Sequence, residues 1–186
     1  MIIIVEGCDG SGKTTLANEL HGLLPDAVVL HRGPPKRHPL LEYERDIEVL
    51  GRDHDIICDR WHLGELIYGP LYRGESVLGL AGFRHVELFL AARGTIAVLL
   101  DQAPAEIRRR LGPRGEDYLQ DQHVEHVISE YRLLWNRVIT HRGYNISASD
   151  IIKLGRYWAD EVAWTSRYPT LIGNVLSPQF LLLGDR

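Results

Sequence analysis

The stretch Gly7-Cys8-Asp9-Gly10-Ser11-Gly12-Lys13-Thr14-Thr15 leaves this chain few folds to choose from. It has the spacing G-x-x-x-x-G-K-[ST], and its surroundings agree with that spacing. The apolar run Ile2-Ile3-Ile4-Val5 precedes it as a short buried strand, and Leu16, Leu20, Leu23 and Leu24 follow on one face of a helix. The residue types suit one task. Gly10 and Gly12 let backbone N–H groups turn inward around phosphate oxygens, beside Ser11 and Thr15, and the helix N-terminus adds the positive end of its dipole. Lys13 is placed to reach the β- and γ-phosphates, and the Thr14 hydroxyl to hold Mg²⁺. Strand, loop and helix in this order imply a bound nucleoside triphosphate, ATP with its Mg²⁺.

Beyond the loop, strand and helix signals alternate. Strands are expected at Ala27–Leu30, Asp55–Cys58, Thr95–Leu100 and Tyr144–Ile146, with helices at Leu40–Leu50, Trp61–Tyr68, Val77–Ala92 and Tyr118–Thr140. Pro104 opens another helix, Gly69–Glu75 reads as loop, and Ser149 is an N-cap for a last helix to about Trp164. Five apolar strands separated by helices predict an α/β fold, a P-loop three-layer sandwich with a parallel sheet covered on both faces. Ligands of such sheets sit beyond the carboxyl ends of the strands. That gathers Gly7, His31-Arg32, Asp59-Arg60, Asp101 and Ser147 around one crevice.

A length of 186 residues suits one domain spanning the whole chain, and no repeat or linker divides it. The net charge of −4 argues against a general binder of nucleic-acid polymers or anionic membranes. The two cysteines, Cys8 and Cys58, have no metal-ligand spacing and suit a reducing cytoplasm. No run approaches the length of a membrane span, and the first residues lack the basic region of a signal peptide.

Two further stretches carry chemistry. Asp59-Arg60-Trp61 ends the third strand, where a carboxylate can hold the water shell of Mg²⁺ and a guanidinium can grip a second phosphate bidentately. The basic break from Arg108 to Arg114 lies between helices, in the position of a closing lid over about residues 108–117; Arg110 and Arg114 are its candidate catalytic cations. Tyr68, Tyr72 and Arg73 lie just beyond Asp59-Arg60 and are candidate acceptor contacts. His123 and His126 share a charged helix face and read as solvated, and Trp135, Trp158 and Trp164 as packing.

The run Ile4–Thr15, Asp59-Arg60-Trp61 with Tyr68 beyond, Leu100-Asp101 before Pro104, the arginine-rich break and Tyr131 together resemble the thymidylate kinases, over about residues 1–164. The resemblance implies Mg²⁺-dependent transfer of the ATP γ-phosphate to a deoxynucleoside monophosphate, dTMP or a modified pyrimidine nucleotide. It implies that Asp9 contacts the acceptor sugar or phosphate, that Arg60 holds the acceptor phosphate, and that Ser147 lies in the turn beside adenine. It also implies that lid arginines supply catalytic charge, because the loop itself carries none. Where the family has a Ser-Ser pair and a Gln, this chain has Gly64-Glu65 and Gly69; where it has Arg-Glu-Pro-Gly-Gly, this chain has His31-Arg32-Gly33-Pro34-Pro35. Those segments shape the acceptor end.

Acceptor class turns on charge. A nucleoside offers a neutral 5′-hydroxyl and needs a carboxylate base; a monophosphate needs cations instead. Deoxynucleoside kinases resemble this fold but place an acid after strand two, where this chain has His31-Arg32 and then Lys36-Arg37. That favours a phosphate-bearing acceptor near Arg32, although Asp9 or Asp59 could still act as a base. The alternatives are a deoxynucleoside kinase and a P-loop ATPase switch that turns over ATP without a small acceptor. The tail over residues 167–186 ends on Phe180-Leu181-Leu182-Leu183, which needs cover from the sheet edge, a homodimer contact or a downstream segment.

Overall fold

The structure is a computed structural model that describes residues 1–35, 38–112, 119–138 and, for backbone alone, 142–146. The expected tail, the last helix from Ser149, and the residues Lys36, Arg37, Arg114, Ser147, Trp158 and Trp164 lie outside the described residues.

Five parallel strands, β1 (Ile2–Gly7), β2 (Val28–His31), β3 (Ile56–Asp59), β4 (Ile96–Leu100) and β5 (Arg142–Ile146), form one sheet in the order β2-β3-β1-β4-β5. Alternation along β1 divides the core. Ile3 and Val5 face α1 (Lys13–Leu23), where Leu16, Ala17 and Leu20 close on them with Ile57, Val98 and Leu100. Ile2 and Ile4 face the opposite layer, made by α2 (Pro39–Leu50), α3 (His62–Arg73), α4 (Gly79–Ala91), α5 (Pro104–Leu111) and α6 (Val124–Trp135). Tyr43, Ile47, Leu63, Phe83, Leu90, Ile107 and Tyr131 fill that second layer. This is the three-layer arrangement expected of the pattern.

The register aligns the functional ends. Val5 pairs with Asp59, His31 with Asp59, and Gly7 with Leu100, so the loop after β1 emerges beside the ends of β3 and β4. β1 lies between β3 and β4, and the crossover from β3 to β4 passes over it. The crevice therefore opens where neighbouring strands feed loops in opposite directions.

Two helix boundaries depart from the sequence reading. Gly69–Glu75 is not a loop at its start: α3 runs on to Arg73 with Pro70 inside it, and stops at Gly74, whose left-handed φ of 83° lets its N–H reach the Pro70 carbonyl. Gly69 acts as a packing glycine there, since a Cβ would sit 2.9 Å from Glu65 Oε1 and 2.9 Å from the Glu75 carbonyl oxygen. The helix expected from Tyr118 begins later, at Val124, after a 3₁₀ turn over Asp121–His123, and ends at Trp135. Among the described residues no helix is long and apolar enough to cross a membrane.

Leu20 is fully buried between α1 and the sheet. Leu20→Ala should lower unfolding stability by about 2–5 kcal/mol, read from urea unfolding, because the rigid layers on both sides cannot collapse onto the cavity.

Candidate active site

The phosphate loop is shaped by two glycines with left-handed backbone, Gly10 (φ 78°) and Gly12 (φ 104°), the latter standing directly before α1. Lys13 is buried and its Nζ donates to the carbonyls of Gly7 and Cys8, both at 2.8 Å, while lying 3.7 Å from Asp9 Oδ1. Burial first, and Arg60 second, push the Lys13 pKa down.

Arg60 meets the same carboxylate from the other side. Its Nη2 pairs with Asp9 Oδ1, and its guanidinium lies 5.7 Å above the Tyr68 ring. Burial works to lower its pKa, but Asp9, Tyr131 and Tyr68 more than offset that and leave it raised. Tyr68 also accepts the Asp9 backbone N–H at 3.2 Å. Asp9 thus stands between two cations, one on the loop and one at the end of β3, with its second oxygen buried and unpartnered.

The backbone that aims Arg60 is strained. Among the described residues Arg60 is the one non-glycine with positive φ, 70°. The sequence offers no local cap for α3, because Trp61 occupies the N-cap position without a side-chain bond. Glu6 on β1 supplies it. Its Oε1 accepts the N–H of Trp61 at 2.9 Å and of Leu63 at 3.0 Å, and its Oε2 accepts the Tyr131 hydroxyl at 3.3 Å. The reading of the motifs missed this residue; the available signal was a lone acid in an apolar strand. Gly64 helps too, since a Cβ there would lie 3.3 Å from Tyr131 Oη and 3.6 Å from Arg60 Cγ.

Thr14 Oγ1 donates to Asp59 Oδ2 at 2.7 Å, and His31 Nδ1 lies 3.0 Å from the same oxygen. Asp59 Oδ1 is buried without a partner. Among the described residues no group of three or more His, Cys, Asp or Glu could hold a metal. Mg²⁺ does not need one, because it binds through one or two protein oxygens, waters and substrate phosphates. The orphaned carboxylate oxygen of Asp59 beside the Thr14 hydroxyl fits that donor set.

The basic segment sorts itself by partner. Arg108 pairs with Asp121 and Glu125, and Arg109 with Glu106. Arg110 turns to the loop: Nη1 donates to the carbonyls of Gly10 and Ser11, both at 3.1 Å, and Nε to Glu106 at 2.5 Å. Glu106 lies well below the carboxylate range, at about 2, held there by hydrogen bonds from Arg109 and Arg110.

A cavity of about 360 Å³ extends from Arg60 along α3, lined among others by Arg32, Tyr43, Gly64, Glu65, Tyr68, Tyr72 and Arg73. Arg32 lines it but is already paired with Asp46 and lies 4.0 Å from Glu42. Tyr68 and Tyr72 stack at 6.2 Å with rings 7° apart. Phe83 is instead in the core, stacked on His62. Burial drives the Cys8 thiol up to about 12, so it is not a reactive thiolate.

No protein-family model matches the chain. It is 25% identical over 166 residues to the SPbeta prophage-derived uncharacterized protein YorR of Bacillus subtilis, covering 87% of this chain and 94% of that protein. It is 33% identical over 147 residues to the thymidylate kinase of Xanthomonas campestris pv. campestris, and spans 62% of that enzyme's length and 62% of its own. The crystal structure of YorR in complex with phosphorylated GDP superposes with a TM-score of 0.70 at 20% identity, over 90% of this chain and 99% of that one. Deoxyadenosine kinase from M. mycoides, with dCMP and dCDP bound, superposes at 0.57 and 14% identity, over 88% of this chain and 100% of that one. The fold is that of P-loop nucleotide kinases.

Glu6 gives a pH test. Burial raises its pKa above 4.5, so the folded state holds its proton more tightly than the unfolded chain. Its contribution is complete below that value and is lost as pH rises through the raised one. Glu6→Gln keeps an acceptor for Trp61 and Leu63 but has no proton to lose. Its urea midpoint should therefore gain on wild type as pH rises from about 4.5 to about 7. A constant difference across that range would mean that folding leaves the Glu6 pKa unshifted.

Proposed function

We propose that the protein transfers the γ-phosphate of ATP, with Mg²⁺, to a deoxynucleoside monophosphate, dTMP or a modified pyrimidine nucleotide among the candidates. One observation carries the reading: Lys13 and Arg60 face each other across Asp9, and the cavity continues beyond Arg60. Two anions brought head to head repel, and a cation on each side of the transfer line offsets that. The sequence likeness to thymidylate kinase and the fold shared with deoxyadenosine kinase support a phosphotransferase acting on nucleotides.

In this reading Gly10, Ser11, Gly12, Thr14 and Thr15 cradle the donor phosphates and Lys13 spans the β- and γ-groups. Thr14 and Asp59 would hold Mg²⁺, which when bound neutralises charge between the donor phosphates. Arg60 exchanges Asp9 for the acceptor phosphate, and Asp9 turns to the acceptor sugar. An acceptor phosphate oxygen attacks the γ-phosphorus, the bond to the β,γ-bridging oxygen breaks, and ADP leaves with that electron pair. A phosphate acceptor needs no proton removed. Arg110, and Arg114 beyond the described residues, are the proposed lid cations, with Ser147 beside adenine. Tyr68, Tyr72, Arg73 and Arg32 would face the acceptor.

A second reading has an observation of its own. The Asp59 carboxylate, bonded to His31, is a base that could take the proton of a nucleoside 5′-hydroxyl. Coupled assays with deoxynucleosides against their monophosphates separate the two.

Lys13→Met should abolish transfer, by at least about a thousandfold in kcat, with an unchanged circular dichroism spectrum. Arg60→Ala should raise the acceptor KM by about tenfold or more and leave the ATP KM within about twofold, because a charge-assisted bidentate contact is lost on one substrate alone. Wild-type kinetics in Arg60→Ala would overturn the acceptor assignment.

A further inference from the structure

Among the described residues Glu65 is the one acid lining the acceptor cavity, and its side chain is only 2% exposed. It is not free, and the way it is held defines what it can do. Oε1 accepts the Val77 N–H at 3.0 Å and Arg73 Nη2 at 2.6 Å; Oε2 accepts the same Nη2 at 2.5 Å. Oε1 is therefore filled, while Oε2 keeps one lone pair. Arg73 spends a single nitrogen on the pair; among the described residues its Nε and Nη1 make no hydrogen bond, and Arg73 lines the same cavity. The result is one open acceptor beside a guanidinium that still has open donors.

This arrangement depends on Gly69, the neighbour one turn along α3. Any side chain there would drive into Glu65 Oε1 and the backbone of Glu75 and Ser76. Gly69 and Glu65 are thus a matched pair, and they occupy two of the three positions along α3 where the chain departs from the pattern it resembles. Glu65 lies in the first turn of α3, five residues past Arg60 in the chain, and lines the same cavity as Arg60. The stacked rings of Tyr68 and Tyr72 lie on the same helix.

We propose that Glu65 and Arg73 are the residues that select the acceptor base, and that they take a lactam edge, a ring N–H beside a carbonyl, as in thymine, uracil and guanine. The open lone pair of Glu65 accepts the ring N–H, and an open N–H of Arg73 donates to the neighbouring carbonyl oxygen. Adenine and cytosine bring a two-proton amino group beside a ring nitrogen with one lone pair, which leaves a proton unmatched in a donor-rich site. A buried pair left unmatched rejects its ligand strongly. This rests on the reading of the cavity as the acceptor site.

The test uses the intact protein with dTMP, dUMP, dGMP, dCMP and dAMP, both as kinase acceptors and as ligands in calorimetry. Wild type should favour the lactam bases by about 10- to 100-fold in kcat/KM and in affinity. Glu65→Gln should shrink that preference to within about threefold, with the ATP KM unchanged. Arg73→Lys, which keeps the charge on Glu65 but loses the fork, should do the same even if Glu65→Gln is poorly folded. The proposal is overturned if both variants weaken all five acceptors equally, which is what a mere anchor for the segment after α3 would do. It is overturned equally by a wild type that shows no base preference or favours the amino bases. Calorimetry keeps the two readings apart. Lactam preference in binding, lost in the variants, with no transfer to any monophosphate, would sink the proposed reaction and leave the base-selecting pair standing.

Discussion

A carboxylate between two cations organises this site. Asp9 belongs to the phosphate loop, yet it pairs with Arg60 from β3 while lying within 4 Å of Lys13. Without it, an ammonium and a guanidinium would face each other in a largely buried space, and the effect is visible: Arg60 is the second cause, after burial, that drives the Lys13 pKa down. Such an arrangement is costly to leave unpaired and ready to accept an anion. Phosphate groups arriving on either side restore to each cation the negative partner that Asp9 must otherwise share. On the proposed reading, the donor and acceptor halves are thereby coupled through one side chain.

The geometry around Asp9 is imposed by backbone rather than by charge. Gly7, with φ 147°, has no room for a Cβ, which would sit 2.8 Å from the Leu100 carbonyl oxygen. Just past the end of the neighbouring strand, Arg60 adopts a left-handed conformation that a non-glycine residue holds only when its surroundings insist. Glu6 is what insists. By capping the N-terminus of α3 from a different strand, it fixes where the helix starts and hence where Arg60 points. A helix capped by its own sequence could tilt with its loop; one capped from the central strand cannot.

Much of this could be read in the chain beforehand, for reasons that differ by element. The loop after β1 was legible because its function demands fixed spacing, and the strands because burial on both faces demands unbroken apolar runs. The start of α3 was legible too, but not its end. Gly69-Pro70 is a breaker pair by local rules; here tertiary packing against Glu65 and Ser76 decides instead, and Gly74 ends the helix. Glu6 was hidden because its partners are backbone N–H groups far along the chain, which leave no spacing to find. Among Arg108, Arg109 and Arg110, the sequence reading favours Arg110 through the family resemblance; partners separate them physically, and it is Arg110 that reaches the phosphate loop.

The role of Arg110 in this state follows from the peptide unit. Carbonyl and N–H of one trans peptide point opposite ways. Holding the Ser11 carbonyl toward Arg110 therefore turns the Gly12 N–H the other way, away from the guanidinium. The donor side is thus built from backbone, and backbone geometry is indifferent to what lies beyond Arg60. The proposed acceptor side is lined by side chains, among them Glu65, Tyr72 and Arg73, with Gly69 cut to fit Glu65. What this chain shares with the structures it superposes on is the fold; on the proposed reading, what it need not share is the surface that reads a base.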